Sequence, residues 1–188
     1  SFLGVDIACA DYNPEMVIYE DKNVTKNGKV RVIYMDQNMA VDNFLTSRDI
    51  KPNRQILSPV VTNKLIQDDE ILLDEEDIKL YQSDIGVCNF FSITTRYDIA
   101  YPISKLSQYS AKPTRGARIA LDRVLSYLRC NTEFYIKGTF APKQDITNYY
   151  SDSDHGGNMP YTSHSHTGIN LLLNSVPIVW KSKKQPKT

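Results

Sequence analysis

Cysteine, glycine and histidine are all scarce in this 188-residue chain, which holds 3 Cys, 8 Gly and 3 His. Cys9, Cys88 and Cys130 are odd in number, widely spaced and form no CxxC pair. That argues against a disulfide framework or a structural zinc site and for a reducing compartment. The three thiols are expected to act as small buried hydrophobes. The chain contains no G-x-S-x-G elbow, P-loop or dinucleotide fingerprint, so acyl transfer and nucleotide hydrolysis have no support. No apolar run approaches the ~18 to 20 residues that cross a bilayer, so no membrane partner is expected. Ser1-Phe2-Leu3-Gly4-Val5-Asp6 shows no basic stretch followed by an apolar block, so no signal peptide is visible and no secretion is expected. With no initiator Met, the chain reads as a piece of something longer that opens inside a strand.

What is present fits a folded protein: 41% apolar, 10% aromatic and 23% charged residues, enough for one ordinary domain or two small ones. Net charge is zero but unevenly spread. Residues 1–94 carry −7 and residues 95–188 carry +7. The acid is concentrated between Asp68 and Asp77, and the base between Lys105 and Lys143 and in the last eight residues. A basic half suits a polyanion such as nucleic acid, although charge runs are more often solvated faces.

Pattern along the chain predicts a mixed α+β fold. Phe2, Val5 and Ile7 open an extended region that Val30-Arg31-Val32-Ile33-Tyr34 closes, with turn residues Asn23, Asn27 and Gly28 between them, as in a long-looped hairpin. From Gln37 the spacing turns helical, with Met39, Phe44 and Leu45 on one face and Pro52 as the stop. Residues 52–77 read as an irregular acidic boundary. Three helices follow. Residues 78–92 place Ile78, Tyr81, Ile85, Cys88 and Phe91 or Ser92 in a stripe. Residues 98–110 follow an Asp98 cap. A third begins at a Thr114 cap and carries Ala117, Ala120, Leu121, Val124, Leu125 and Leu128. The opposite face of the third holds Arg115, Arg118 and Arg129, a face that can lie along a phosphate backbone, although a solvated face is the more common outcome. After Asn131 the period falls to two, predicting a small meander of strands at 133–140, 146–151, 168–174 and 177–183.

Two constellations carry chemistry. Asp152 and Asp154, at the end of a predicted strand, project to one side and suit a hard divalent cation bound through oxygen. One acidic pair is too little for two-metal phosphodiester hydrolysis, which needs carboxylates from several elements. His155, His164 and His166 offer a second reading, a transition-metal site or scaffold.

The ordered strings Tyr81-x3-Ile85-Gly86, Phe90-Phe91-Ser92-Ile93-Thr94-Thr95-Arg96-Tyr97-Asp98-Ile99-Ala100, Leu106-Ser107 and Pro113-Thr114 continue into Arg123-Val124-Leu125-x-Tyr127-Leu128, Tyr150-Ser151-Asp152-x-Asp154, Thr167-Gly168 and Pro177-Ile178-x-Trp180-x-Ser182-Lys183-Lys184-Gln185. In that order they resemble the Pol polyprotein of copia-type long-terminal-repeat retrotransposons, where the reverse transcriptase ends and the RNase H domain begins. Phe2-Leu3-Gly4-Val5-Asp6-Ile7 resembles the family's strand after the polymerase active site.

The resemblance implies a division of labour. Residues 1–57 would be the end of the palm and a thumb-like segment, 58–77 an acidic linker and 78–131 connecting helices. Residues 132–188 would be the N-terminal part of an RNase H-like domain. It implies Asp152 as a catalytic, metal-binding carboxylate and Asp154 as its companion on Mg2+, with an RNA–DNA hybrid or template–primer duplex as partner alongside the remainder of the Pol polyprotein. Leu3, Gly4, Arg115, Arg118, Arg129, Lys181, Lys183 and Lys184 would meet nucleic acid. The implied location is the cytoplasm, in a virus-like particle, with the nucleus as a second place.

The departures are specific. The family's polymerase Tyr-x-Asp-Asp pair and its later RNase H carboxylates fall outside the chain. His155 stands where the family has an aromatic residue. Ser163-His164-Ser165-His166-Thr167-Gly168 replaces Arg-Lys-Ser-Thr-Ser-Gly and loses two positive charges. Ala117 replaces a His, and Cys130 a Gly. The expectation is an enzyme fragment inactive alone; the alternative is a non-catalytic nucleic-acid-binding module derived from a retroelement.

Overall fold

A computed structural model describes residues 4–12, 30–51, 56–60, 71–140, 147–154 and 165–186. Leu3, His155, His164 and residues 61–70 of the acidic linker lie outside the described residues. The order is β1 (Asp6–Tyr12), β2 (Val30–Asp36), α1 (Asn38–Ser47), α2 (Glu75–Thr94), α3 (Ala100–Leu106), α4 (Arg115–Cys130), β3 (Tyr135–Phe140), β4 (Thr147–Ser153), β5 (His166–Leu173) and β6 (Val176–Lys184). The result is a mixed α+β arrangement with two antiparallel three-stranded sheets, β1-β2-β3 and β4-β5-β6.

The helices make the core. On α4, Ala117, Ala120, Leu121, Val124, Leu125 and Leu128 are all buried, as their spacing predicts. The Thr114 side chain accepts the Ala117 N–H and starts that helix. These residues pack with Tyr81, Ile85, Cys88 and Phe91 of α2, Ile103 and Leu106 of α3, and Val41 and Leu45 of α1. Each fully buried Leu or Ile contributes about 1.5–3 kcal/mol to holding the four helices together.

Four expectations are corrected here. Helix α2 begins at Glu75, not 78, because Asp74 caps it by accepting the Glu76 and Asp77 N–H groups. Glu75, Glu76 and Asp77 then sit in the first turn, where the helix dipole favours acid, so the end of the acidic run belongs to the helix. Asp98 caps nothing: a 3-10 turn at Tyr97–Ile99 precedes α3, and the Asp98 carboxylate instead takes the Arg96 guanidinium. Helix α1 ends at Ser47, well before Pro52, because Asp49 adopts a left-handed conformation (φ 51°) and the chain turns back. Its buried face is Val41 and Leu45, while Met39 is exposed. Of the three cysteines only Cys88 is buried; Cys9 is exposed and Cys130 is half-buried. Burial pushes the Cys88 thiol up to about 12, which makes it an inert hydrophobe.

The tail is not one four-stranded meander. Strand β3 pairs with β2 (Ile136 opposite Met35, Gly138 opposite Ile33) and joins the N-terminal hairpin. The remaining strands form the second sheet. Its β5–β6 connection is the two-residue turn Asn174-Ser175, both at positive φ (49° and 66°), the geometry that matches the twist of a tight hairpin. The turn pairs Leu173 with Val176 and Leu172 with Pro177, and a β-bulge then shifts the register by one residue between Leu172 and Leu171, which places Asn170 opposite Trp180 and Gly168 opposite Ser182.

Candidate functional site

The second sheet docks on the helices through one face. In antiparallel strands, directly paired residues share a face. Asp152, Gly168 and Ser182 form one such row across β4, β5 and β6, and Tyr150, Asn170 and Trp180 form the next. The Trp180 indole N–H donates to the Ser92 carbonyl of α2 at 2.6 Å. Its ring lies 5.7 Å from that of Tyr97. At the far end of the same face, His166 is buried, its Nε2 2.7 Å from the Ser182 hydroxyl and 3.5 Å from that of Ser104 on α3. Its ring meets Tyr101 edge-on at 5.4 Å.

Between these two anchors the sheet and helices do not close. They leave a cleft of about 450 Å³ lined by Tyr97, Tyr101, Tyr150, Asp152, Asn170 and Trp180, with Lys181 and Ser182 also at its wall. Gly168 lies opposite Asp152, and a Cβ there would meet only the Asp152 carbonyl, at 4.0 Å. Its missing side chain keeps the floor beside the carboxylate open. Asp152 itself is exposed.

Asp154 has a different job. Its carboxylate accepts the His166 N–H while its own N–H donates to the His166 carbonyl at 3.1 Å, clasping the end of β4 to the start of β5. Among the described residues, no three His, Cys, Asp or Glu side chains converge as a metal would require. Asp152 and Asp154 are thus joined by no third such side chain among the described residues. The histidine alternative rests on His166 alone among the described residues, and its Nε2 is committed to serine hydroxyls.

The nucleic-acid candidates separate into two groups. Arg118 holds Asp84 at 2.9 Å and Asp122 at 2.6 Å, and Arg129 holds Asp42 at 2.5 Å. The arginine face expected along α4 is thus tied largely into the fold, and of the three only Arg115 is exposed. Lys181 and Lys183 are exposed on β6 and Lys184 is half-buried. Gly4 is exposed in a turn at φ 74°. Sequence pattern missed Tyr97, Tyr101, Asn170 and Trp180 as cleft residues. The only local hint is Trp180, the single tryptophan of the chain, alternating with two lysines.

His166 makes the sheet's attachment sensitive to acid. Burial chiefly, and then the Lys105 ammonium, hold its pKa below the ordinary value, with Asp154 opposing. A pKa lower in the folded than the unfolded state means that the unfolded chain takes up the proton first. Stability contributed by neutral His166 is full above the unfolded value of about 6.5 and falls as pH drops from there towards the folded value. We expect the melting temperature to fall between about pH 7 and pH 5.5 more steeply in the native chain than in His166→Gln. Equal slopes would show that His166 is not the group responsible.

Comparison with known proteins gives this geometry a lineage. The chain is 35% identical over 111 residues to a transposon Ty5-1 protein of Saccharomyces cerevisiae, covering 58% of this chain and 35% of that protein. It is 35% identical over 108 residues to the retrovirus-related Pol polyprotein from transposon RE2 of Arabidopsis thaliana, 56% of this chain and 7% of the polyprotein. It is also 32% identical over 105 residues to the secreted RxLR effector protein 161 of Plasmopara viticola, 56% of this chain and 72% of the effector. No family model matches, and no solved structure matches. The chain is thus a homologue of retrotransposon Pol polyproteins, as its ordered strings imply. It spans about a third of the Ty5-1 protein and a small part of the Pol polyproteins. Among the described residues, no helix is long and apolar enough to cross a membrane.

Proposed function

We propose that this chain is the stretch of a retrotransposon Pol polyprotein that ends the reverse transcriptase and begins the RNase H domain, and that it contributes to RNA-directed DNA synthesis and hybrid cleavage only within the longer protein. The α-helices serve as the connection that supports an RNA–DNA hybrid or template–primer duplex. The β4-β5-β6 sheet is the opening of the nuclease domain. The polyprotein works in the cytoplasm, in a virus-like particle. The observation that carries this reading is Asp152: a solvent-open carboxylate at the rim of a cleft, on the edge strand β4 paired with β5.

The same observation limits what the chain does by itself. Phosphodiester hydrolysis with divalent cations needs several carboxylates to converge, whereas Asp154 is bound to His166 and no third ligand joins Asp152 among the described residues. Magnesium would be completed by residues from the remainder of the polyprotein. Of the cations expected to meet nucleic acid, Arg115, Lys181 and Lys183 are exposed and open to phosphate.

The test uses a labelled RNA–DNA hybrid with magnesium. The 188-residue chain should leave it intact, and a chain extended into the downstream Pol sequence should cut it. Asp152→Asn in the extended chain should lower the rate by at least about 100-fold, the scale on which loss of a metal-holding carboxylate acts. Cutting by the 188-residue chain, or unchanged cutting by the extended Asp152→Asn protein, would overturn the proposal.

A further inference from the structure

The cleft has more apparatus than a lone carboxylate needs. Four of the residues that line it are aromatic. Tyr97 and Tyr101 come from the helical side, Tyr150 and Trp180 from the sheet, and all but Trp180 are substantially exposed. On the floor between Tyr150 and Trp180, in the same cross-strand row, stands Asn170. Its Oδ1 is buried and has no hydrogen-bond partner. The Asn170 side chain lines the cleft, and an amide can accept from or donate to the edge of a bound planar group once it turns towards it. At the rim, Lys181 offers a cation.

These features describe one chemical class. A planar group with π faces would stack on the tyrosine and tryptophan rings. It must carry an N–H edge to donate to Asn170, and be joined to an anion that reaches Lys181. A nucleobase on its sugar-phosphate satisfies all three. A cleft of about 450 Å³ lies within the usual range for small-molecule sites. A base inside a duplex cannot enter, because its faces are stacked and its edge is paired; an unpaired base can.

We infer that this cleft captures an unpaired base of a single-stranded nucleic acid, stacked among Tyr97, Tyr101 and Trp180 and read at its edge by Asn170. The inference rests on the nucleic-acid reading above but not on any cutting activity. It gives the cleft a second role beside the Asp152 carboxylate: holding a strand end or an unpaired position next to the duplex.

Trp180, as the single tryptophan, is its own reporter. Titrating the full chain with an eight-residue oligoadenylate should quench Trp180 fluorescence saturably. An abasic oligomer of the same length and charge should bind at least about 5-fold more weakly, because base–aromatic stacking is lost. Asn170→Ala should weaken oligoadenylate by about 5-fold or more while leaving the abasic oligomer unchanged, since only the amide-to-base hydrogen bond is removed. Equal affinity for the two oligomers would overturn the inference, as would no quenching or an Asn170→Ala protein that binds oligoadenylate as the native chain does. A parallel titration with an RNA–DNA hybrid separates the two claims. Hybrid binding without oligoadenylate quenching defeats base capture alone, while loss of both defeats the nucleic-acid reading itself.

Discussion

Replacing Arg96 by Ala should cost about 3–5 kcal/mol, the scale for removing one partner of a buried ion pair. For a chain of this length that lowers Tm by about 6–20 °C. The side chain is 1% exposed. Its Nε and Nη2 hold the two oxygens of Asp98 at 3.0 and 2.8 Å, and its Nη1 donates to the Asn131 carbonyl at 2.8 Å. The guanidinium also lies 4.7 Å from the Phe134 ring and 5.9 Å from the Tyr127 ring, whose hydroxyl donates to Asp98 at 2.9 Å. One residue thus ties the end of α2, the turn before α3, the end of α4 and the approach to β3. Its removal leaves the Asp98 carboxylate poorly compensated and the Asn131 carbonyl without its donor. Arg96→Lys should fall between native and Ala, because an ammonium cannot reproduce the two-pronged grip on Asp98. Arg96→Ala with Asp98→Ala should cost less than the two single changes added together, since each single change strands the other's charge. Urea unfolding of the four proteins measures this. A loss under about 1 kcal/mol for Arg96→Ala would mean that the lock is not what joins these elements.

That lock explains why the string Thr95-Arg96-Tyr97-Asp98 was legible as a signature and illegible as a structure. An aspartate ahead of an apolar run reads locally as a helix cap. Nothing in the spacing says that an arginine two residues earlier claims it, because that outcome depends on Asn131, Phe134 and Tyr127 arriving from α4 and beyond. Helix α4 was fully legible for the opposite reason: its cap, its apolar stripe and its length are all local, and all agree. Strand β3 was legible as a strand, but its partner was not. Alternation shows which face is apolar and is silent about which sheet that face will join. The candidate site lies between these cases. Asp152 stood out by its acidic spacing and its family string. Asn170 and Trp180 became its neighbours only through the register set by the Asn174-Ser175 turn together with the bulge between Leu172 and Leu171, and Tyr97 and Tyr101 only through packing of the sheet on the helices. Arg118 and Arg129, expected as a surface for phosphate, are tied into the fold because Asp84 and Asp42 reach them from distant positions in the chain, with only Asp122 one turn away. One sign was available. Asp84 sits inside the apolar stripe of α2, between Tyr81 and Ile85, where an unpaired charge is not tolerated.

Replacing that aspartate is the second large change. Asp84 is fully buried, with Oδ1 2.6 Å from Arg48 Nε and Oδ2 2.9 Å from Arg118 Nη1. Arg48 donates further to Ser83 at 3.1 Å, and Arg118 to Asp122 at 2.6 Å. A single carboxylate therefore joins α1, α2 and α4 from inside the core. Asp84→Ala should cost about 3 kcal/mol, the lower end of the range for breaking a buried pair. The lower end applies because the Arg48 and Arg118 side chains are 29% and 21% exposed and can recover some solvation. The Arg129–Asp42 pair supplies the contrast within the same molecule. It is also short, but the Asp42 side chain is 56% exposed, so Asp42→Ala should cost no more than about 1 kcal/mol. Salt separates the two by mechanism: about 0.5 M sodium chloride should shrink the Asp42→Ala difference and leave most of the Asp84→Ala difference intact, because a buried pair is screened far less than an open one. Equal costs for the two substitutions, or an Asp84 effect that salt erases, would show that water reaches this triad and that the apolar contacts alone hold α1 to the other helices.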